Sequence, residues 1–180
     1  MMNKNMTHQM GRMLCLIVWA LAMPCSCIDE EEPTEEVVTV GQRLPDFEVT
    51  TNDGTSVTGD MLRSTPSVVM FFHTSCPDCQ QTLPRIQRLH DTHAGKGVRF
   101  ALISREDGEA SVASYWEEHR LTMPYSAQDD RSVYELFAYR RVPRVYVSDA
   151  TGTVRYIFTD DPIPSDEMLD EAMRNVSHAQ

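Results

Sequence analysis

The chain has 180 residues and carries 27 Asp and Glu against 16 Lys and Arg, a formal net charge of −11. Such an acidic chain is repelled by nucleic-acid phosphates and by anionic lipid headgroups, so neither is an expected partner. The part that follows a short N-terminal signal has the length of one domain, which is enough to bury a core without covalent staples.

Residues 1–26 have the pattern of a bacterial lipoprotein signal peptide. Two basic residues precede an apolar core at 13–23, which is much shorter than the roughly 20 residues that a membrane-spanning helix needs. Cys27, preceded by a serine, resembles the lipidated cysteine at which such signals are cleaved, although Pro24 departs from the pattern. We therefore predict a lipid anchor at Cys27 and an extracytoplasmic location, facing the periplasm or at the cell surface. Ordinary cleavage nearby and an uncleaved anchor are the alternatives.

Residues 27–39 are predicted to form the lipidated cysteine and an acidic tether. Six of the nine residues from 28 to 36 are acidic, and such a run cannot bury apolar area. It should be a solvated linker that holds the folded part off the membrane. An acidic stretch directly after a lipidated cysteine also resembles the surface-export signals of some Gram-negative lipoproteins. The folded domain is predicted to occupy residues 40–180.

Strand and helix signals alternate along this domain. An alternating segment at 46–50, an Asn-Asp-Gly turn and a short segment at 56–58 predict a hairpin. The apolar run at 68–72 is typical of a central strand covered on both faces. Further strands are predicted at 98–104, 142–147 and 153–158, and helices at 77–93, 109–119, 131–139 and from 165 to about 175. This order predicts an α/β fold with a central mixed β-sheet, helices on both faces and an N-terminal β-hairpin.

Cys76 and Cys79 form a Cys-x-x-Cys pair between the apolar strand and the helix predicted at 77–93. A cysteine at a helix start lies among backbone N–H groups at the positive end of the helix dipole, which favours its thiolate and makes Cys76 the nucleophile. Cys79, one turn further in, is placed to attack Cys76. The other three of the five cysteines lie in or just after the signal, so no structural disulfide framework is expected. The Cys76–Cys79 disulfide would itself be the redox group, with no other cofactor and no metal.

This arrangement resembles the thioredoxin fold, and more closely the TlpA/ResA group of membrane-tethered thiol-disulfide oxidoreductases. The resemblance spans about residues 40–176, and its most specific motifs lie at 71–79, 83–84 and 141–147. It implies that Pro143 follows a cis peptide bond and faces the two sulfurs, and that Val142 offers backbone groups that pair with a substrate chain. It also implies an enzyme that reduces disulfides in protein substrates and is itself reduced by an upstream thiol donor.

Several residues near the dithiol depart from the family pattern or could modulate it. Met70 and Thr82 stand where related proteins often carry an Asp and a Glu that help to move the proton of the buried thiol. His73 could act electrostatically on the first cysteine, and Asp78 would oppose its thiolate by like charge. Arg144 could add positive potential at the same sulfur and recruit acidic substrates, or it could be a solvated arginine.

Three other functions compete with the oxidoreductase interpretation. A peroxidatic enzyme needs Thr or Ser three residues before its cysteine and Pro seven before it, whereas His73 and Val69 stand at these positions. A Cys-x-x-Cys pair can also bind zinc or copper, but four-ligand zinc needs a further Cys/His pair at close spacing, which the sequence does not offer. A non-catalytic scaffold would more often have lost one of the two cysteines. The sequence leaves open whether the protein reduces, oxidises or isomerises disulfides.

Overall fold

The computed structural model describes residues 36–178, and the predicted signal peptide, Cys27 and most of the predicted tether lie outside the described residues. The elements in chain order are β1 (Glu48–Thr50), β2 (Ser56–Thr58), α1 (Gly59–Leu62), β3 (Ser67–Phe72), α2 (Pro77–His93), a 3-10 turn (Ala94–Lys96), β4 (Arg99–Ser104), α3 (Glu109–His119), a second 3-10 turn (Tyr134–Leu136), β5 (Arg144–Ser148), β6 (Val154–Phe158) and α4 (Asp166–His178). No helix of the described part is long and apolar enough to cross a membrane.

Four strands form the central sheet in the order β4-β3-β5-β6. β3 runs parallel to β4 and antiparallel to β5, and β5 is antiparallel to β6. Every residue of β3 is buried, as expected of a continuous apolar strand that is covered on both faces. β1 and β2 pair separately as an antiparallel hairpin. The predicted mixed sheet and N-terminal hairpin are therefore confirmed.

The residues that flank α2 and α3 mark where these helices begin and end. α2 begins after Cys76, whose backbone is extended and whose Sγ accepts a hydrogen bond from Cys79 N. Pro77 suits the first helical position, because the N–H that proline lacks would have no intrahelical partner there. α3 ends before Arg120, which adopts a left-handed conformation with φ of 54°. Both helices have the predicted bounds.

The prediction of a helix at 131–139 is wrong, because the structure has only the 3-10 turn Tyr134–Leu136 in this segment. The carbonyl oxygen of Phe137 accepts hydrogen bonds from Val37 N and Val38 N at 3.0 and 2.9 Å. These distant donors occupy the acceptor that a continuing helix would use for its next turn. The segment therefore ends as a turn that is tied to the N-terminal part of the domain.

The folded part begins before the predicted boundary at residue 40. Glu36 forms a β-bridge with Ala138 and an ion pair with Arg144. Val38 is buried, with 5% of its surface exposed. The end of the predicted tether is therefore part of the domain, because the Glu36 carboxylate pairs with the buried Arg144 side chain.

Asp149 fixes the turn between β5 and β6. Its Oδ1 accepts hydrogen bonds from Thr151 N and Thr153 N at 2.8 and 3.2 Å, and its Oδ2 accepts one from Arg155 Nε at 2.7 Å. Burial disfavours the charged form, but the hydrogen bonds from Thr151 and Arg155 outweigh it and lower the pKa of Asp149 to about 2. The ionised carboxylate therefore stabilises the folded state.

Replacing Asp149 with Asn should reduce the free energy of unfolding by about 2 kcal/mol at neutral pH. The folded pKa lies below the ordinary value of 3.8. The contribution of the carboxylate is therefore complete above about pH 4 and is lost as the pH falls toward about 2. Urea unfolding of both proteins across this range should give free energies that converge at the acidic end. A difference that stays constant with pH would contradict the assignment.

Candidate active site

Cys76 and Cys79 lie at the junction of β3 and α2. Cys76 is the N-terminal capping residue of α2 and is partly exposed, Cys79 is fully buried, and both are free thiols. Cys79 N donates to Cys76 Sγ at 3.4 Å, so the first sulfur accepts an N–H that has no partner within the helix. This arrangement places a reachable sulfur at the surface and a second thiol one helical turn inside.

Burial raises the pKa of the Cys79 thiol well above its ordinary value. A hydrogen bond from the His73 backbone acts in the opposite direction by a smaller amount, and the charge of Asp78 adds a minor increase. Desolvation dominates because it disfavours the thiolate inside the core. Cys79 is therefore a thiol at neutral pH until another group takes its proton, which suits a resolving role better than a first attack.

The loop before β5 brings a backbone carbonyl to the exposed sulfur. Cys76 Sγ donates to Val142 O at 3.3 Å. Val142 retains 8% of its surface exposed, and the Val142–Pro143 peptide bond is cis, as the family resemblance implied. The backbone next to Pro143 thus borders the sulfur that a substrate would have to reach.

His73 and Asp107 hold the loop that precedes Cys76. Asp107 is buried, and its Oδ2 accepts hydrogen bonds from Thr74 N at 2.9 Å and from Thr74 Oγ1. The His73 ring accepts from Ser75 N at 3.2 Å and lies 3.6 Å from Asp107 Oδ2. The role of His73 in modulating the cysteine stays a prediction, and the observed contacts of its ring are with Ser75 and Asp107.

The sequence pattern did not single out Asp107, although a positional signal for it exists. β3 and β4 are parallel, so the residues that follow the two strands meet at the same edge of the sheet. Asp107 follows β4 and Thr74 follows β3. The two residues are therefore brought together by strand order, and this becomes visible only once the two strands are known to be neighbours.

Removing the Asp107 carboxylate should loosen the loop before Cys76. Asp107→Ala leaves the Thr74 backbone N–H without its acceptor, so we expect the free energy of unfolding to fall by about 1–3 kcal/mol. Asp107→Asn retains an acceptor oxygen at the same place and should lose less. Hydrogen exchange of the Thr74 amide, followed by NMR, should be faster in the Ala variant. Equal exchange rates in the two variants would contradict this role.

The interpretation of Arg144 as a solvated arginine is wrong, because its side chain is only 1% exposed. Its role in adding positive potential at the Cys76 sulfur and recruiting acidic substrates stays a prediction. Its Nη1 pairs with Glu36, and its Nε and Nη2 donate to Arg140 O at 2.9 and 2.8 Å. Burial disfavours the charge, but a hydrogen bond with Tyr134 and the charge of Glu36 hold the pKa of Arg144 above its ordinary value. The guanidinium group therefore makes its hydrogen bonds and its ion pair inside the fold.

The surroundings of the dithiol bear on the competing functions. Within residues 36–178, no group of three or more His, Cys, Asp and Glu side chains is arranged to hold a metal ion. Val69, at the position where a peroxidatic enzyme needs proline, is buried in β3. His73, at the position of the required Thr or Ser, contacts Ser75 and Asp107. What the described residues do form is a pair of free thiols, of which Cys76 is partly exposed and Cys79 is buried.

The chain is similar in sequence and in fold to known thiol-disulfide exchange proteins. Its sequence matches the AhpC/TSA family over residues 40–157. It is 23% identical to the thiol-disulfide oxidoreductase ResA of Oceanobacillus iheyensis over 79% of this chain and 76% of that relative. It is 25% identical to ResA of Geobacillus kaustophilus over 68% of this chain and 70% of that relative.

Solved structures show the same fold. A thiol:disulfide interchange protein of the thioredoxin family from Chlorobium tepidum superposes with a TM-score of 0.66 at 21% identity, over 78% of this chain and 99% of that one. A thio-disulfide isomerase from Thermus thermophilus gives a TM-score of 0.63 at 27% identity, over 77% of this chain and 97% of that one. The predicted thioredoxin-like fold is confirmed.

Proposed function

Because this chain belongs to the AhpC/TSA family and presents one partly exposed and one buried thiol, we propose that it is a thiol-disulfide oxidoreductase that reduces disulfides in exported proteins. The observation that carries this proposal is the contact between Cys76 Sγ and Val142 O, because it joins the reachable thiol to the backbone beside Pro143. The similarity to proteins named thiol-disulfide oxidoreductase ResA supports the same activity.

In the proposed reaction the Cys76 thiolate attacks one sulfur of a substrate disulfide. A bond forms between Cys76 Sγ and that sulfur, the substrate S–S bond breaks, and the leaving thiolate takes up a proton. Cys79 then gives up its proton and attacks Cys76 Sγ, which forms the Cys76–Cys79 disulfide and releases the second substrate sulfur as a thiol. Two electrons pass from the dithiol to the substrate, and an upstream thiol donor returns the enzyme to its reduced form.

The reduction potential of the Cys76/Cys79 pair tests the direction of this reaction. The full chain would be equilibrated with mixtures of reduced and oxidised dithiothreitol, and its free thiols would be alkylated and counted by mass. A value near about −300 mV supports a reductase, and one near about −120 mV supports an oxidase. A protein that forms no Cys76–Cys79 disulfide and reduces no substrate would refute the proposed function.

We also propose that a lipid on Cys27 holds the mature protein at the extracytoplasmic side of a membrane. The short apolar signal, the serine before Cys27 and the acidic stretch that follows support this proposal. The intact mass of the membrane-extracted protein tests it. A mature chain that starts at another residue and carries no lipid mass would contradict it.

A further inference from the structure

The loop before β5 has side-chain donors on four consecutive backbone carbonyl oxygens. They belong to residues 139–142, which we call the carbonyl loop. The hydrogen bonds are Arg131 Nη2 to Tyr139 O at 2.5 Å, Arg144 Nε and Nη2 to Arg140 O at 2.9 and 2.8 Å, Tyr134 Oη to Arg141 O at 2.5 Å, and Cys76 Sγ to Val142 O at 3.3 Å. The loop is thus held along its whole length by side chains from other segments.

The backbone of the carbonyl loop needs this support. Arg141 has φ of 67°, a left-handed conformation that costs a residue with a side chain about 1 kcal/mol or more. Such a conformation persists where the surrounding structure fixes it. Hydrogen bonds to the carbonyl of Arg141 and to both neighbouring carbonyls supply that restraint. The shape of the loop therefore depends on its donors.

Arg144 supplies two of these hydrogen bonds although it is a charged residue with 1% of its side chain exposed. A buried guanidinium needs a nearby counter-charge, because the loss of its hydration is costly. Glu36 provides that charge through its ion pair with Arg144 Nη1. Glu36 is fixed in turn by its β-bridge with Ala138. The start of the domain is thereby connected to Arg140 O through a continuous set of contacts.

We propose that Arg144 and Glu36 are positioning residues that fix the carbonyl loop to receive an extended polypeptide substrate. This proposal rests on the proposed function. Val142 O lies 3.3 Å from Cys76 Sγ, so a polypeptide whose disulfide reaches this sulfur lies against the loop. Displacement of a bound reactant by about 1 Å can cost a hundredfold in rate. A small disulfide reaches the partly exposed sulfur without lying along the loop, so it depends on the loop much less.

The test compares insulin, a polypeptide disulfide, with the small disulfide DTNB, using the reduced, membrane-extracted full chain. Arg144→Lys keeps the charge but lacks the planar fork that contacts Arg140 O twice. Glu36→Gln keeps the shape of the side chain but lacks the counter-charge. We expect each variant to lower the second-order rate constant with insulin roughly ten- to a hundred-fold, and the rate with DTNB by a much smaller factor. The rate that remains in Cys76→Ser is subtracted as background.

Arg155→Lys is the matched control, because it alters another arginine–carboxylate pair of the sheet, formed with Asp149 at a side chain that is 52% exposed. It should leave the ratio of the two rates unchanged. Tyr134→Phe keeps the ring and removes the hydroxyl group, which donates to Arg141 O and also interacts with Arg144, so it tests the loop even where Arg144→Lys fails to fold. Equal losses with both disulfides, or no loss with either, would overturn the proposal. A wild-type protein that reduces neither disulfide would instead overturn the proposed function.

Discussion

Cys79→Ser should accumulate a disulfide-linked complex with its substrate, whereas Cys76→Ser should trap no substrate. Cys76 is partly exposed at the start of α2, and Cys79 is fully buried one turn inside. The first attack needs a sulfur that a substrate can reach, and the release step needs a thiol behind it. Without Cys79 the mixed disulfide has no resolving thiol. Non-reducing electrophoresis and mass spectrometry of proteins cross-linked in the expressing cells would measure the complex.

Alkylation of the reduced wild-type protein gives an independent check on these roles. Burial raises the pKa of Cys79. Its reaction with iodoacetamide should therefore become appreciable only at a higher pH than the reaction of an ordinary cysteine thiol. Equal alkylation of Cys76 and Cys79 near neutral pH would overturn the assignment of roles. The two Ser variants also separate the competing functions, because a metal site would lose its metal in both, and a scaffold would be affected by neither.

Local signals in the sequence predict the elements that carry the dithiol. The apolar run of β3 and the Cys-Pro start of α2 can be recognised from neighbouring residues, since a continuous apolar pattern and a helix cap are both local features of the sequence. The bounds of α3 could be predicted in the same way. The motif that carries the resemblance spans this junction at residues 71–79. The placement of Cys76 at the start of α2 and of Cys79 one turn further in therefore follows from local signals.

The features that could not be predicted depend on partners far away in the chain. The segment at 131–139 has the composition of a helix, but Phe137 O is engaged by Val37 N and Val38 N. Arginine is usually a surface residue, but Arg144 is buried, because Glu36 at the start of the domain provides its counter-charge. No local window contains both members of these contacts, so propensity and periodicity do not reveal them.

Phe71 and Phe72 are adjacent on β3, and their side chains lie on opposite faces of the sheet, because successive strand residues point in opposite directions. Both are fully buried. The Phe71 ring lies 5.3 Å from the ring of Tyr134 and 4.8 Å from that of Phe137, between centroids. The Phe72 ring lies 5.1 Å from that of Trp116. The two rings thus pack against different aromatic neighbours, and the neighbours of Phe71 include Tyr134, whose hydroxyl donates to the carbonyl loop.

Phe71→Ala and Phe72→Ala should each lower the free energy of unfolding by about 3–5 kcal/mol, because each leaves a cavity in a fully buried position. This is a large share of the roughly 5–15 kcal/mol that stabilises a typical domain, so both variants should unfold at much lower urea concentrations than the wild type.

The two variants should differ in their effects on disulfide reduction. Phe71→Ala removes the packing behind Tyr134, whose hydroxyl donates to Arg141 O, so the folded variant should lose more activity toward insulin than toward DTNB. Phe72→Ala should lose comparable stability and retain the wild-type ratio of the two rates. Equal ratios in both variants would show that the carbonyl loop does not depend on the packing beneath Tyr134.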